Sequence, residues 1–336
     1  MSFVSLIERT RGGTLECQHL GAVAVVNTQG RLLASAGDPY WRSFTRSTLK
    51  AFQALPLMQA GGPAHFGFTP RQVALLCASH SGEATHVTEV DGMLAKTGLR
   101  YQALRCGCHV PYIYTYNDTP LPPGLQFDER HNNCSGKHAG FLAWCVQHGA
   151  ALDSYEDPAH PLQAAIRLQV ARTAGLDEQD LVMGIDGCSA PNYAMPLAHL
   201  ARCYARLATG IADSEFGDSF AQLSAAMTAH PDLVSGTGRN DEAFMRVGRG
   251  DWVSKVGADG VQVIGSKSRG EALAVKIADG DKPALFAATV EVLDQLGWLD
   301  DPQRETLAPW RAREIRNPRG LLVGERVAAF RLTTKS

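Results

Sequence analysis

The feature that most constrains this fold is where the strand patterns fall. They gather near the two ends of the chain, with helical patterns between them. Residues 20–36, LGAVAVVNTQGRLLASA, crowd apolar and β-branched side chains into two runs that meet at Gln29-Gly30. That pattern reads as two strands joined by a turn. Residues 252–264 and 271–278 alternate as strands around glycine-rich turns toward the other end. In between, Phe44, Thr48, Ala51, Phe52 and Leu55 have helical spacing, which predicts a helix from Ser43 to Leu57 that ends near Pro56 and Gly61-Gly62. Helices are also expected over 85–97, 138–148, 159–174, 195–208 and 215–229, and 71–79 reads as a short helix running into a buried strand. Strands at both ends and helices between them predict an α/β (α+β) sandwich whose termini share one sheet. Residues 107–130, rich in Pro, Tyr and Asn, read as a loop able to act as a lid or a lobe connection.

At 336 residues the chain is long enough for one large unit, 1–336, or two lobes, and needs no disulfides to hold a core. The 32 basic and 34 acidic side chains leave a formal charge of -2, with no cationic footprint for nucleic acid. No run approaches the ~18 apolar residues of a membrane span, and the N-terminal MSFVSLIERTRGG lacks the basic-then-apolar order of a signal peptide. Eight cysteines in that setting read as reduced thiols in a cytoplasmic protein. A small polar molecule is the expected partner, with neither nucleic acid nor membrane.

Several segments concentrate polar chemistry. Ser47-Thr48-Leu49-Lys50 places a hydroxyl and an amine three residues apart, on one face of the expected helix. Serine is a poor nucleophile until a base takes its proton, and lysine can do so only when neutral. Lowering a lysine pKa from about 10.4 to about 8 takes roughly 3 kcal/mol of desolvation or neighbouring charge, which Arg46 and a second lysine could supply. The plainer reading of this spacing is a solvated helix surface. Ala78-Ser79-His80-Ser81-Gly82-Glu83 suits close substrate approach, or an ordinary loop with a helix cap at Ser81 or Thr85.

His131-Asn132-Asn133-Cys134-Ser135-Gly136-Lys137-His138 is a polar run ahead of the apolar stretch Phe141–Val146 and is hard to justify by packing. Its asparagines suit recognition of an amide or amino acid, and Cys134 at a helix start is a candidate thiolate. Asp186-Gly187-Cys188 offers an acid and a thiol that could join Cys134 at a metal. Two distant cysteines do not make a zinc motif by spacing, and inert buried thiols are the alternative. The Gly-x-Gly at Gly236-Thr237-Gly238 follows a Pro-bearing loop and does not read as a dinucleotide site. Lys255, on a strand before glycines, is placed to point into a cleft.

Taken together and in order, these blocks resemble the L-asparaginase II family, in particular its class 3, Rhizobium etli type L-asparaginases. The blocks are Ser47-Thr48-Leu49-Lys50, Ala78-Ser79-His80, Asn132 through His138, Asp186-Gly187-Cys188, His230 through Gly238, and Lys255 through Gly260. The resemblance implies a fold like serine β-lactamases and glutaminases, with a mixed, largely antiparallel sheet flanked by helices. It implies two Ser–Lys tandems, Ser47 with Lys50 and Ser79 with Lys255. It further implies a zinc bound by Cys134, Lys137 and Cys188 with Asp186 beside the metal. Arg46, His80, Asn133, His138 and Asp186 are then expected to contact substrate. The implied reaction is hydrolysis of L-asparagine to L-aspartate and ammonia by a homodimer. Three rivals remain: a zinc hydrolase with a metal-activated water, another S-x-x-K acyl-transfer enzyme such as a glutaminase or β-lactamase, and a non-catalytic amino-acid-binding module. The Ser-Asp-Asn motif of the β-lactamase group is absent from the chain.

Overall fold

The computed structural model describes residues 3–116, 119–311 and 313–335. They form two compact units, one comprising 1–48, 195–205 and 254–336, the other 49–194 and 206–253. In chain order the strands among these residues are β1 (Val4–Arg11), β2 (Thr14–Asn27), β3 (Leu32–Ala36), β4 (Arg42–Phe44), β5 (Val182–Ile185), β6 (Pro191–Pro196), β7 (Trp252–Gly257), β8 (Val261–Ser266), β9 (Glu271–Ile277), β10 (Glu314–Arg316), β11 (Leu322–Ala328) and β12 (Thr333–Thr334).

The first unit is built on a sheet of order β10-β11-β1-β2-β9-β8-β7, with β3 also on β2 and β12 on β3. The long strand β2 is its seam. The first half of β2 pairs antiparallel with β1, and the second half pairs with β3 and β9. Gly21 sits at the changeover, where a Cβ would lie 2.1 Å from the Lys276 carbonyl oxygen, so any side chain there is excluded. Ala22 through Val26 are completely buried, a continuous apolar run of the kind found in strands covered on both faces. The helix Lys282–Gln295 packs on β9, β8 and β1 and buries Leu285, Ala288, Val292 and Leu293. Asp281 caps it by accepting the Ala284 N–H at 2.7 Å, and Pro283 occupies its first turn, where no N–H partner is needed. The molecule is thus the expected α/β sandwich with an antiparallel sheet and packed helices.

In the second unit the helix Ser135–His148 lies against the helices Pro70–Leu76 and Ala84–Lys96. A Cβ on Gly136 would sit 2.4 Å from the Leu75 carbonyl oxygen, so glycine permits this close approach. β5 and β6 form an antiparallel hairpin whose turn is Asp186–Ala190. Ser189 takes a positive φ of 71° there, which turns the chain back and leaves Cys188 inward.

Two local expectations are corrected. The single helix across Ser43–Leu57 is instead β4, a 3-10 turn Arg46–Leu49, and two short helices, Lys50–Gln53 and Leu55–Gln59. Pro56 falls in the first turn of the second helix, where it starts a helix instead of ending one. After the capped helix Pro70–Leu76, residues 77–83 do not form a strand. They run between two other segments through isolated backbone bonds, Ser79 N–H to the Val234 carbonyl (2.8 Å) and His80 N–H to the Asn133 carbonyl (3.2 Å). The described residues of the loop-like stretch 107–130 include the short helix Tyr112–Thr115 and the start of a 3-10 turn, Glu129–His131, and residues 117–118 lie outside the described residues.

Candidate active site

Lys50 opens the helix Lys50–Gln53 and is 2% exposed. Its Nζ meets the carbonyl oxygens of Ala78 and Asn133, the latter at 3.2 Å, and lies 2.9 Å from Ser79 Oγ. Burial pushes its pKa down, and the nearby Lys137 charge pushes the same way against the Cys134 and Cys188 thiols. A neutral amine has two hydrogens and one lone pair. The two carbonyls can take the hydrogens, which leaves the lone pair for the Ser79 hydroxyl. Ser79 is pinned on both sides, by its N–H to Val234 and by Arg239, whose Nη1 donates to the Ser79 carbonyl at 2.5 Å.

Beside this pair is a sulfur cluster. Lys137 Nζ lies 3.1 Å from Cys188 Sγ, and Cys134, whose thiol donates to Asn133 Oδ1 at 3.2 Å, is close enough for the two sulfurs to shift each other. His138 approaches from a third side. Its Nδ1 is 2.8 Å from Tyr155 Oη, which already accepts the Arg105 N–H at 2.7 Å, so the tyrosine donates to Nδ1 and the imidazole hydrogen sits on Nε2. Nε2 is buried with no partner of hydrogen-bonding geometry, yet Cys188 is close enough to raise the ring's pKa against the larger effect of burial. The Cys188 thiol is held well below its ordinary value, first by the Cys134 hydrogen bond and then by Lys137 and His138, which together outweigh burial. Cys134 goes the other way, pushed up by the neighbouring Cys188 sulfur and by its own burial. Burial alone would lower Lys137, but the two thiols and Asp186 hold it above the usual lysine value.

Among the described residues no three His, Cys, Asp or Glu side chains converge as a metal site. The three-donor set exists only when the Lys137 nitrogen is counted. Two sulfurs and an amine, each once deprotonated, are soft and borderline donors of the type zinc takes. The residues fit the metal.

The other expected site residues fall as follows. Asn133 joins the Lys50 cluster: its Oδ1 is 3.4 Å from Lys50 Nζ and 3.2 Å from Cys134 Sγ, and its Nδ2 reaches Tyr112 Oη at 3.2 Å. His80 is completely buried, and both ring nitrogens are engaged within the protein. Nδ1 accepts the Gly82 N–H, so Nε2 donates to Ser135 Oγ at 2.8 Å, and burial keeps the ring neutral. Asp186 accepts the Gly187 N–H at the turn of the β5–β6 hairpin. In the first unit, Arg46 is ion-paired with Asp259, and Lys255 is a buried residue of β7 whose Nζ reaches the Val256 carbonyl at 2.9 Å. Ser47 is half-buried on the 3-10 turn just before Lys50.

Sequence reasoning gave no role to Arg239, Tyr112 or Tyr155. Arg239 is 4% exposed, reaches Ser79 and Ser235 carbonyls, and lies 4.5 Å from the Tyr116 ring centre. The one available signal was its position directly after Gly236-Thr237-Gly238. That segment folds onto the Ser79 loop, where Glu83 accepts the Thr237 N–H at 3.0 Å and Gly236 has no room for a Cβ beside Ser81.

A buried amine poised on a serine hydroxyl, in an α/β frame, is the equipment of an acyl-transferring hydrolase. The chain belongs to the L-asparaginase II family, whose model matches residues 7–328, and it is therefore an amidohydrolase. No curated protein matches it. Solved structures with some likeness include a β-lactamase from Mycobacterium bovis (16% identical, TM-score 0.42, over 82% of this chain and 94% of that one). Others are the protein titled Mglu (15%, 0.46, 83% and 64%) and a penicillin-binding protein homologue from Caulobacter crescentus (15%, 0.40, 80% and 90%). The fold assignment rests on the chain's own sheet order and helices.

Proposed function

We propose that this protein hydrolyses L-asparagine to L-aspartate and ammonia through a serine acyl-enzyme, with Lys50 as the base. The observation that carries the serine–lysine chemistry is the buried Lys50 amine, pushed toward neutrality and hydrogen-bonded to the Ser79 hydroxyl, while Ser47 is proposed as nucleophile from the sequence blocks. Ser47 attacks the side-chain amide carbon, and its proton passes to Lys50 with the help of Ser79. The resulting ammonium protonates the leaving nitrogen, so ammonia departs and a serine ester remains. Water then cleaves the ester with the same lysine as base. Lys255 is proposed as the second lysine, with Ser79, from the sequence blocks alone. Arg46, Asn133, His138 and Asp186 are proposed to orient substrate, and His80 to hold the Ser79 loop. A second reading, with Ser79 as the nucleophile, is favoured by the 2.9 Å bond from Lys50.

Cys134, Lys137 and Cys188 are proposed to hold a zinc. When bound, the metal supplies a positive charge that can orient a substrate carboxylate. The protein is proposed to be a cytoplasmic homodimer. Its free cysteines suit a reducing compartment, and no helix among the described residues is long and apolar enough to cross a membrane.

Ammonia release from asparagine and glutamine, assayed side by side, tests the activity. Asparagine is expected to be the better substrate by roughly 10- to 200-fold, the range one methylene commands in a fitted pocket. No release from either amide overturns the proposal. For the metal, Cys134→Ala and Cys188→Ala are expected to lose zinc by elemental analysis and to raise KM more than they lower kcat. Metal content unchanged in both variants removes the shared site. Metal loss with KM unchanged and kcat collapsed favours a metal-activated water instead.

A further inference from the structure

The short helix Tyr112–Thr115 docks on the loop that carries Ser79. Ile113 N–H donates to the Ser81 carbonyl at 3.0 Å. A Cβ on Gly82, whose φ is 70°, would fall 2.7 Å from Pro111 Cβ, so glycine permits the approach. The docking sets the half-buried Tyr112 ring among three partners. It stacks on His109 with 4.8 Å between ring centres, meets Tyr116 edge-on at 5.2 Å, and has the Arg239 guanidinium 5.4 Å from its centre. Arg239 also holds the Ser79 carbonyl, so the ring and the serine loop share an anchor.

The hydrogen bonds around Asn133 then define what the Tyr112 hydroxyl can offer. His109 Nδ1 lies 2.7 Å from the Val110 carbonyl and carries the imidazole hydrogen, which leaves Nε2 as an acceptor for the Asn133 N–H at 3.0 Å. The Asn133 side-chain atom 2.9 Å from the same Nε2 is therefore the amide nitrogen. This fixes the amide with Nδ2 toward His109 and Tyr112, and Oδ1 toward Lys50 and Cys134. Nδ2 donates to Tyr112 Oη at 3.2 Å, and the tyrosine keeps a hydrogen of its own that no described residue accepts. Burial raises the pKa of this hydroxyl; Tyr116, Cys134 and Asp186 reinforce the shift and Arg239 opposes it, so the hydrogen stays in place.

We propose that Tyr112 is a substrate-contacting residue whose hydroxyl donates to an oxygen of the amide substrate bound beside Lys50 and Ser79. The inference rests on the asparagine-hydrolysis reading. Because Oη already accepts from Asn133, what it has left to give is a hydrogen, which suits an oxygen and not an amide NH2 group. In asparagine that oxygen is the side-chain carbonyl or the α-carboxylate.

Tyr112→Phe keeps the ring and its packing and removes only the hydroxyl, so thermal melts should match wild type. With asparagine as substrate, kcat/KM is expected to fall ~10- to 100-fold. A fall carried by kcat assigns the hydroxyl to the carbonyl oxygen, where charge develops in the transition state; one carried by KM assigns it to the carboxylate. The pH profile separates direct contact from an effect passed through Asn133. Asn133 Oδ1 is 3.4 Å from Lys50 Nζ, so a reoriented amide changes the proton affinity of Lys50 and displaces the rise of activity with pH. Direct contact leaves that rise at its wild-type position. Unchanged kcat and KM in Tyr112→Phe, or a loss that comes with a displaced rise, overturns the proposal. A wild type that releases no ammonia overturns the hydrolysis reading itself, and this contact with it.

Discussion

Lys50→Arg is expected to be inactive from about pH 6 to about pH 10, with kcat/KM down by at least ~10³-fold, because guanidinium stays protonated and cannot take a serine proton. Lys50→Met should fail as badly for want of any base. In the wild type the direction follows from the lowered pKa of Lys50. Below that pKa the amine is ammonium and cannot act as base. Activity therefore rises with pH as the proton leaves, and levels off once the amine is neutral. Because the Lys137 charge depresses Lys50, the apparent value belongs to the coupled pair. The measurement is kcat/KM for asparagine across that range in all three proteins, with thermal melts to confirm folding. A flat wild-type profile, or near-normal activity in the arginine variant, would show that Lys50 positions substrate instead of taking a proton.

Ser47→Ala is expected to lower kcat by ~10³-fold or more and to abolish any acyl-enzyme detectable by mass spectrometry after rapid quenching. Ser79→Ala should still acylate, at a rate reduced by ~10- to 100-fold, since the Lys50 amine keeps its contacts with the Ala78 and Asn133 carbonyls. Both serines carry polar rather than packing roles, and neither change opens a large cavity, so the folded state should persist. If the two results exchange places, with acylation surviving in Ser47→Ala and vanishing in Ser79→Ala, the 2.9 Å bond marks the nucleophile and Ser47 assists. More than about a tenth of wild-type activity in both variants would sink covalent serine catalysis altogether.

Much of the frame was legible in local patterns. The turn at Gly30 has the positive φ of 83° that its glycine allows, and β2 and β3 flank it as expected. The helices Ala84–Lys96, Ser135–His148, Pro161–Ala174, Leu197–Thr209 and Gly217–Ala229 follow the apolar spacing closely. The edge strands were harder. β1 sets an adjacent buried pair, Leu6 and Ile7, before an adjacent half-buried charged pair, Glu8 and Arg9, and β10 and β12 are three and two residues long, so no period marks them. The stretch 77–83 is apolar at its start and buried throughout most of its length, which mimics a strand, but its backbone groups are satisfied one at a time by Val234 and Asn133.

The sequence by itself determined the α/β class, the helical middle, and the polar blocks that chemistry would use, because side-chain period and motif spacing are local properties. It did not determine which groups meet or which are charged. Lys50 meets a serine 29 positions away, Lys137 meets a thiol 51 away, and Arg239 reaches across 160 positions to the Ser79 carbonyl. The tertiary structure alone decided the directions of the pKa shifts, Cys188 and Lys50 pushed down and Cys134 and Lys137 pushed up. The physical reason is that a buried group's protonation is set by the charges and hydrogen-bond donors packed around it, and those come from segments that only folding brings together.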